Sequence, residues 1–173
     1  MAARRADRLR HIVAGEDPLM TAGPTFVLAP DDQRRLAASL FNRTWELLER
    51  TGRSTDEDEE MLHTAHASRY HWGRVGQPVN LARGEWQISR VYAVLGRPEP
   101  AVHHGRRCLA LAEQHRLGPF DTGCGHEALA RAYRVAGDRA KAAEHLAAAT
   151  ELAGQIDDAE EREVLLGDLA QLR

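Results

Sequence analysis

The chain has 173 residues, enough for one domain with a sizeable core or for a short array of helical repeats. Apolar residues make up 43% and aromatic residues only 5%, a helix-forming composition typical of a soluble globular protein. The formal charge of −3 gives no overall attraction to nucleic acid or to an anionic membrane, so neither is an expected partner. No apolar run approaches the roughly 18 residues of a membrane span, and no signal-peptide core follows the basic N-terminus.

The two cysteines give no sign of a disulfide framework. Cys108 and Cys124 form neither a CxxC pair nor a spaced set, which favours reduced thiols and a cytoplasmic protein. Cys124 is predicted to lie near a helix start, where the helix dipole lowers the pKa of a thiol. Since no neighbouring base pattern accompanies it, we assign Cys124 no role.

The N-terminal segment, residues 1–29, is poorly determined because glycine and proline interrupt it repeatedly. A short helix over Ala6–Val13 fits the sequence, and the stretch after it is expected to be a loop. From Pro30 onward the helical pattern becomes regular. We therefore predict a single helical repeat domain over residues 30–173.

Two helices are predicted at the start of this domain. The stretch "PDDQRRLAASLFNRTWELLERTG" begins with Pro and Asp, has apolar residues at helical spacing and ends at Gly52, as a capped helix does. An acidic run follows, but Ser54 and Glu57 form a capping-box pair, and acidic residues favour a helix N-terminus. The run therefore predicts the start of a helix that reaches Val75 and ends at Gly76.

Glycines predict the ends of the later helices. The boundaries fall at Gly96, Gly118, Gly137 and Gly154. Each segment between them has an apolar face with a 3.6-residue period, and none alternates as a strand would. The sequence thus predicts an all-α protein of about seven helices.

The last segment is predicted to be a C-terminal capping helix. Asp157 and Glu160 form a cap-like pair at its start. Leu165, Leu169 and Leu172 follow as an apolar stripe at helical spacing. This stripe would cover the end of the preceding helices.

Two of the predicted helix pairs resemble each other. Aligning "ISRVYAVLGRPEPAVHHGRRCLAL" with "LARAYRVAGDRAKAAEHLAAATEL" matches Tyr92 to Tyr133, Gly96 to Gly137, Ala101 to Ala142 and Cys108 to Ala149. A tyrosine four residues before a glycine, with small residues five and twelve positions beyond it, resembles the tetratricopeptide repeat. The longer connection "EQHRLGPFDTG" stretches the usual period of about 34 residues.

The resemblance implies a tetratricopeptide-like stack of antiparallel helix pairs. The repeat pattern matches roughly 70 residues well. Over residues 30–76 only the length and order of the helices match. Most members of the family bind peptides or proteins in a concave groove formed by the first helix of each pair. The whole chain is also similar to uncharacterised repeat proteins of high-G+C bacteria, a similarity that implies no activity.

Polar and aromatic side chains face the groove that the repeat register implies. They are Asn42, Arg83, Trp86, Arg90, Glu127, Arg131 and Arg134. Arginine offers paired donors to a carboxylate, and tryptophan offers a flat apolar or cation-binding face. The pattern therefore predicts a binding module for a peptide, a protein or a small acidic ligand. The alternative is that these arginines only solvate exposed helix surfaces.

The stretch "MLHTAHASRYHWGRVG" concentrates histidines on one predicted helix. His63, His66 and Tyr70 share a helix face, and His71 is offset toward the next face. Two histidines one turn apart can bind one divalent metal ion, and Glu85, His104, Asp121 or Glu127 would be needed from other helices. The other interpretations are a polar ligand pocket and ordinary packing between helices.

Two further functions are compatible with these residues. A metal-dependent or acid–base enzyme would use a pocket of His63, His66, Glu85, His104 and Glu127. A structural scaffold would form a homodimer through its apolar first or last helix. The sequence contains no glycine-rich phosphate loop, nucleophile elbow or dinucleotide fingerprint that would specify a reaction.

Overall fold

The structure is a computed structural model that describes residues 27–172. This part of the chain forms seven α-helices and no strand, which confirms the all-α prediction. The helices are α1 (Pro30–Glu49), α2 (Thr55–Val75), α3 (Pro78–Val94), α4 (Pro98–His115), α5 (Pro119–Val135), α6 (Arg139–Ala153) and α7 (Ala159–Ala170). The helix predicted over Ala6–Val13 lies outside the described residues.

The helix starts follow from local sequence. Four helices, α1, α3, α4 and α5, begin with proline, whose fixed φ and missing N–H suit the first turn. At the start of α2, the Ser54 hydroxyl accepts from the Glu57 N–H at 3.2 Å, and the Glu57 carboxylate accepts from the Ser54 N–H at 2.8 Å. This capping box confirms the predicted start of α2 inside the acidic run.

Two predicted boundaries are displaced. Helix α4 ends at Arg116, which takes the left-handed conformation (φ 52°), so Gly118 is not its stop. Gly118, with φ 93°, instead precedes α5. The cap of α7 is formed by Asp158, which accepts from the N–H of Glu161, one position beyond the predicted pair. In both cases the sequence predicts that a helix boundary is present, but it does not predict the exact residue.

The helices pack as a stack. Turns of two to five residues join them, so each helix runs antiparallel to its neighbour and packs against it. Helices α3, α5 and α7 also contact one another in order, while α2, α4 and α6 lie behind them. The three pairs α1–α2, α3–α4 and α5–α6 therefore form successive layers, and α7 covers the last one.

Small side chains let these layers approach closely. The core around α3–α7 contains four buried alanines and the two cysteines beside five larger side chains. Leu165 and Leu169 of α7 are fully buried there, as the leucine stripe predicts, whereas Leu172 lies beyond the helix. Within residues 27–172, no helix combines the length and apolarity needed to cross a bilayer.

Candidate functional site

A groove of about 540 Å³ opens along the first helices of the layers. Its apolar lining is Trp45, Leu48, Trp86, Val94 and Val164. Its polar lining is Glu49, Arg90, Arg131, Asp168 and Gln171. Helices α1, α3, α5 and α7 all contribute, so the site exists only when the layers are stacked. Its volume is within the range of natural small-ligand and peptide side-chain pockets.

Two tryptophans and an arginine form the floor of the groove. The Trp45 and Trp86 rings are 5.3 Å apart between centroids and inclined by 55°. The guanidinium carbon of Arg90 lies 5.3 Å from the centroid of each ring, so its positive charge rests against both aromatic faces. Because the three groups fix one another, this floor is rigid before any ligand arrives.

A fully buried carboxylate holds the floor from below. Glu127 accepts hydrogen bonds from Trp86 Nε1 at 2.8 Å, from Arg90 Nη2 at 3.1 Å and from Arg131 Nε at 2.8 Å. Asp168 of α7 accepts a hydrogen bond from Arg90 Nη1 at 2.8 Å, and its other carboxylate oxygen lies 2.6 Å from Arg90 Nη2. Two carboxylates and two guanidiniums thus neutralise one another, as buried charges must.

The arginine at the centre of this network stays charged. Burial lowers the pKa of Arg90, but the nearby carboxylates of Glu127 and Asp168 outweigh burial, and the pKa is raised overall. Its Nε atom is buried and has no hydrogen-bond partner in the described part of the chain. Arg90 is therefore a permanent cation whose charge is directed toward the two carboxylates.

The groove residues recur at one spacing through all four helices. Trp45, Trp86, Glu127 and Asp168 follow one another every 41 residues. Glu49, Arg90 and Arg131 do the same one helical turn further along. Equivalent positions of the first helices therefore converge on one surface, as expected for a stack of repeated units.

The structure brings only part of the predicted groove set together. Trp86, Arg90 and Arg131 line the groove, and Glu127 lies directly beneath it. Asn42 is exposed and does not line it, because Trp45, one turn further along α1, occupies the groove face instead. The sequence interpretation missed the other lining residues, and for Trp45 and Asp168 the 41-residue spacing is the signal that would have identified them.

The two outer arginines of the predicted set do not line the groove. Arg83 donates to Asp121 at 2.7 and 3.2 Å and to Glu161 at 3.2 Å, so it ties α3 to α5 and α7. Arg134 is exposed and lines an adjoining pocket, where it donates to the backbone carbonyl of Gln171. Arg83 is thus engaged in holding the layers together, whereas Arg134 remains at the rim.

Glu85 lies in a second polar cluster, between α2, α3 and α4. Its buried carboxylate accepts from Arg69 Nε at 3.0 Å, from His104 Nδ1 at 2.6 Å and from Arg107 Nε at 3.3 Å. Burial raises the pKa of Glu85, but the bonds from His104 and the charge of Arg69 outweigh burial and leave it lowered. The cluster is an internal ion network that joins three helices.

Of the remaining residues of the predicted metal or polar pocket, only His66 reaches this cluster, with its ring centroid 5.5 Å from that of His104. His66 contacts Tyr92, with Nε2 3.0 Å from the hydroxyl oxygen, whereas His63 is exposed beside Glu59. Tyr70 is 64% exposed and lies edge-on to His71. Across residues 27–172, no three or more His, Cys, Asp or Glu side chains form a group that could hold a metal ion.

The proposed acid–base pocket is also divided between two places. Glu127 belongs to the groove, whereas Glu85, His66 and His104 belong to the cluster between α2, α3 and α4. Cys124 is buried, and burial raises the pKa of its thiol, so the expected lowering by the helix dipole is outweighed.

No family model, curated protein or solved structure matches this chain.

Proposed function

We propose that this chain is a non-catalytic, repeat-type binding module that holds a segment of a peptide or partner protein in the groove between α1, α3, α5 and α7. The observation that carries this proposal is the preformed floor of Trp45, Trp86 and Arg90. A rigid aromatic floor loses little conformational entropy when it receives a ligand. The resemblance to tetratricopeptide repeats, whose members mostly bind peptides, points in the same direction.

Exposed apolar side chains around the floor support a binding role. Val94 and Val164 both line the groove and are 46% and 51% exposed. Exposed aliphatic side chains gathered around a concave surface are typical of recognition sites, whereas single ones are not. An apolar side chain of the bound segment would cover them and the Trp45 ring.

The charges favour a ligand that has both an apolar and a polar group over a simple polyanion. Glu127 and Asp168 engage both Nη atoms of Arg90 and its Nε is buried, so a carboxylate could reach it only by displacing one of them. Among the described residues Arg134 donates only to the backbone carbonyl of Gln171, at 3.2 Å, whereas Arg131 is paired with Glu127 and reaches the Gln171 side chain weakly at 3.4 Å. We therefore expect a ligand with an apolar group for the floor and a carbonyl or carboxylate for the rim.

Peptide selection tests the proposal. A random dodecapeptide phage library is selected on the untagged chain, and the enriched peptides are synthesised. Binding is followed by tryptophan fluorescence in a W72F background, in which Trp45 and Trp86 are the remaining tryptophans. We expect saturable binding that W45A weakens by about tenfold or more, since an aromatic anchor is worth 2 kcal/mol or more.

Tyr70 provides the matched control, because it is an exposed aromatic residue on α2 away from the groove. Y70A should bind the selected peptides as tightly as the parent chain. An R131A variant should weaken binding of peptides that carry an acceptor group while leaving purely apolar ones less affected. Selected peptides that bind W45A and the parent equally would refute the groove as the binding site.

A further inference from the structure

The charges in and directly beneath the groove leave one carboxylate uncompensated. Glu127 pairs with both lining arginines, Arg90 and Arg131, and Asp168 pairs with Arg90, so these four groups cancel. The remaining charged residue of the lining is Glu49. Three carboxylates therefore stand against two guanidiniums, and the extra negative charge lies on the α1 side of the groove.

Glu49 has no ion-pair partner among residues 27–172. Its side chain is exposed at the end of α1. The three arginines nearest to it in the sequence pair with other carboxylates: Arg43 with Glu46 and Glu60, Arg50 with Glu57, and Arg53 with Asp58. The Glu49 carboxylate can therefore receive a ligand without first giving up a partner.

The position of Glu49 is unfavourable for the stability of the fold. It is the last residue of α1, and the last turn of this helix contains no basic residue. Arg53 donates to the carbonyls of Leu47 and Leu48 at this end, but Asp58 neutralises it. Because a helix C-terminus carries partial negative charge, a carboxylate there is repelled. A groove residue that the fold does not need is a candidate for ligand binding.

The ends of three helices bring more negative charge to the groove. Glu49 ends α1, Val94 ends α3, and Gln171 directly follows α7, and all three line the groove. These helices run parallel to one another, because an antiparallel helix or helices separate them in the chain. Their dipoles therefore point the same way, and their C-terminal ends favour a cation in the groove.

The aromatic floor beside Glu49 favours the same charge. Trp45 precedes Glu49 by one helical turn, and the Trp86 ring lies against Trp45. Indole rings attract cations, as they do the Arg90 guanidinium. A lysine or arginine of a ligand can lay its aliphatic stem along the indole and hold its charge at the carboxylate.

We propose that the groove accepts a peptide segment in which a lysine or arginine accompanies the apolar anchor, and that this basic side chain pairs with Glu49. The inference rests on the proposed function and specifies the charge of its ligand. Four residues of helix separate Trp45 from Glu49, a rise of about 6 Å. An extended peptide covers about 3.3 Å per residue, so the basic residue lies one or two positions from the anchor.

Parallel selection of the dodecapeptide library on the untagged parent chain and on E49R tests the charge. We expect the parent to enrich lysine or arginine one or two positions from an apolar residue. E49R should enrich aspartate or glutamate there, because the charge on this side of the groove is reversed. E49R should be at least as stable as the parent, since a cation suits the end of α1.

Titration of synthetic peptides measures the contribution of the pair. A peptide enriched on the parent is made with arginine at the basic position and with citrulline, its neutral counterpart. We expect the arginine form to bind the parent about three- to tenfold more tightly, as for a cation held by a carboxylate and an aromatic ring. This difference should disappear in E49Q. It should persist in E59Q, which neutralises an exposed glutamate on α2 outside the groove.

Two results would overturn this inference and leave the groove as the binding site. One is a set of enriched peptides that W45A weakens but that carry no preferred basic residue. The other is an arginine-to-citrulline difference that is the same in E49Q as in the parent. Peptides that bind W45A and the parent equally would instead refute the groove itself, and the pairing with Glu49 would fall with it.

Discussion

The indole nitrogen of Trp86 donates a hydrogen bond of 2.8 Å to the carboxylate of Glu127, the residue at the equivalent position one layer further on. The same carboxylate accepts from Arg90 and Arg131. One buried acid therefore orients the aromatic floor and neutralises two arginines of the groove. The stability of the stack and the shape of the groove depend on the same group.

Removing this carboxylate should destabilise the protein strongly. In E127A, Arg90 and Arg131 lose their shared partner while their side chains are only 11% and 15% exposed. Breaking a buried ion pair from one side costs about 3–5 kcal/mol. Urea unfolding followed by circular dichroism should show a decrease of that size in the free energy of unfolding. E127Q should fall between E127A and the parent, because it keeps the bond to Trp86 without the charge.

Glu163 supplies the control for this prediction. It is an exposed glutamate on α7, and E163A should change the free energy of unfolding by no more than about 0.5 kcal/mol. If E127A and E163A unfold at similar urea concentrations, the carboxylate of Glu127 does not hold the layers together as described.

Much of the helical framework could be predicted because it depends on local chemistry. Prolines start helices, Ser54 and Glu57 cap one, and glycines at Gly96 and Gly137 reverse the chain with positive φ. Trp86 could also be placed in the groove, because the Tyr–Gly pattern fixed the register of its helix. Each of these inferences needs only the residues within one or two helices.

The rest depends on contacts between distant parts of the chain. The first helix carries no tyrosine–glycine pair, so its register could not be fixed, and Asn42 was predicted where Trp45 lies. Asp168 approaches Arg90 only because α7 folds back over α5. The pairing of His126 with His145 likewise arises from the packing of α5 on α6.

Acidification should destabilise the junction of α2, α3 and α4 through His66. Burial, followed by the nearby charge of His104, lowers the pKa of His66 below its usual 6.5. The unfolded chain therefore binds a proton here at a higher pH than the folded chain, and stability is lost as the pH falls from about 6.5 through the folded pKa. The groups acting on this ring are His104, Glu85 and His63.

Urea unfolding at about pH 7.5 and about pH 5.5 measures this dependence. H66Q removes the titrating group and should lose less stability between the two conditions than the parent. H115Q, at an exposed position on α4 and not among the groups acting on His66, should lose as much as the parent. An H66Q variant that retains the full pH dependence of the parent would exclude His66 as a source of it.

The two thiols should be unreactive in the folded protein. Cys108 and Cys124 are both buried, and burial raises the pKa of each thiol above its ordinary value. Iodoacetamide at about pH 8 should therefore leave both unmodified in the native state and alkylate both in urea, as read by mass spectrometry. Rapid alkylation of either cysteine without denaturant would contradict their position in the core.

A close approach between α4 and α5 should depend on a single glycine. A Cβ at Gly125 of α5 would lie 2.7 Å from the Cα of Leu109 in α4, and backbone cannot move aside as a side chain can. G125A should therefore lower the free energy of unfolding by about 1–3 kcal/mol, the usual cost of overpacking.

Gly167 is the matched control, because it is also helical but has nothing within 4 Å of its added Cβ. G167A should raise the free energy of unfolding by about 0.5–1 kcal/mol, since alanine loses less backbone entropy in a helix. Opposite shifts in the two urea midpoints are expected, and equal shifts would mean that α4 and α5 are not in backbone contact at Gly125.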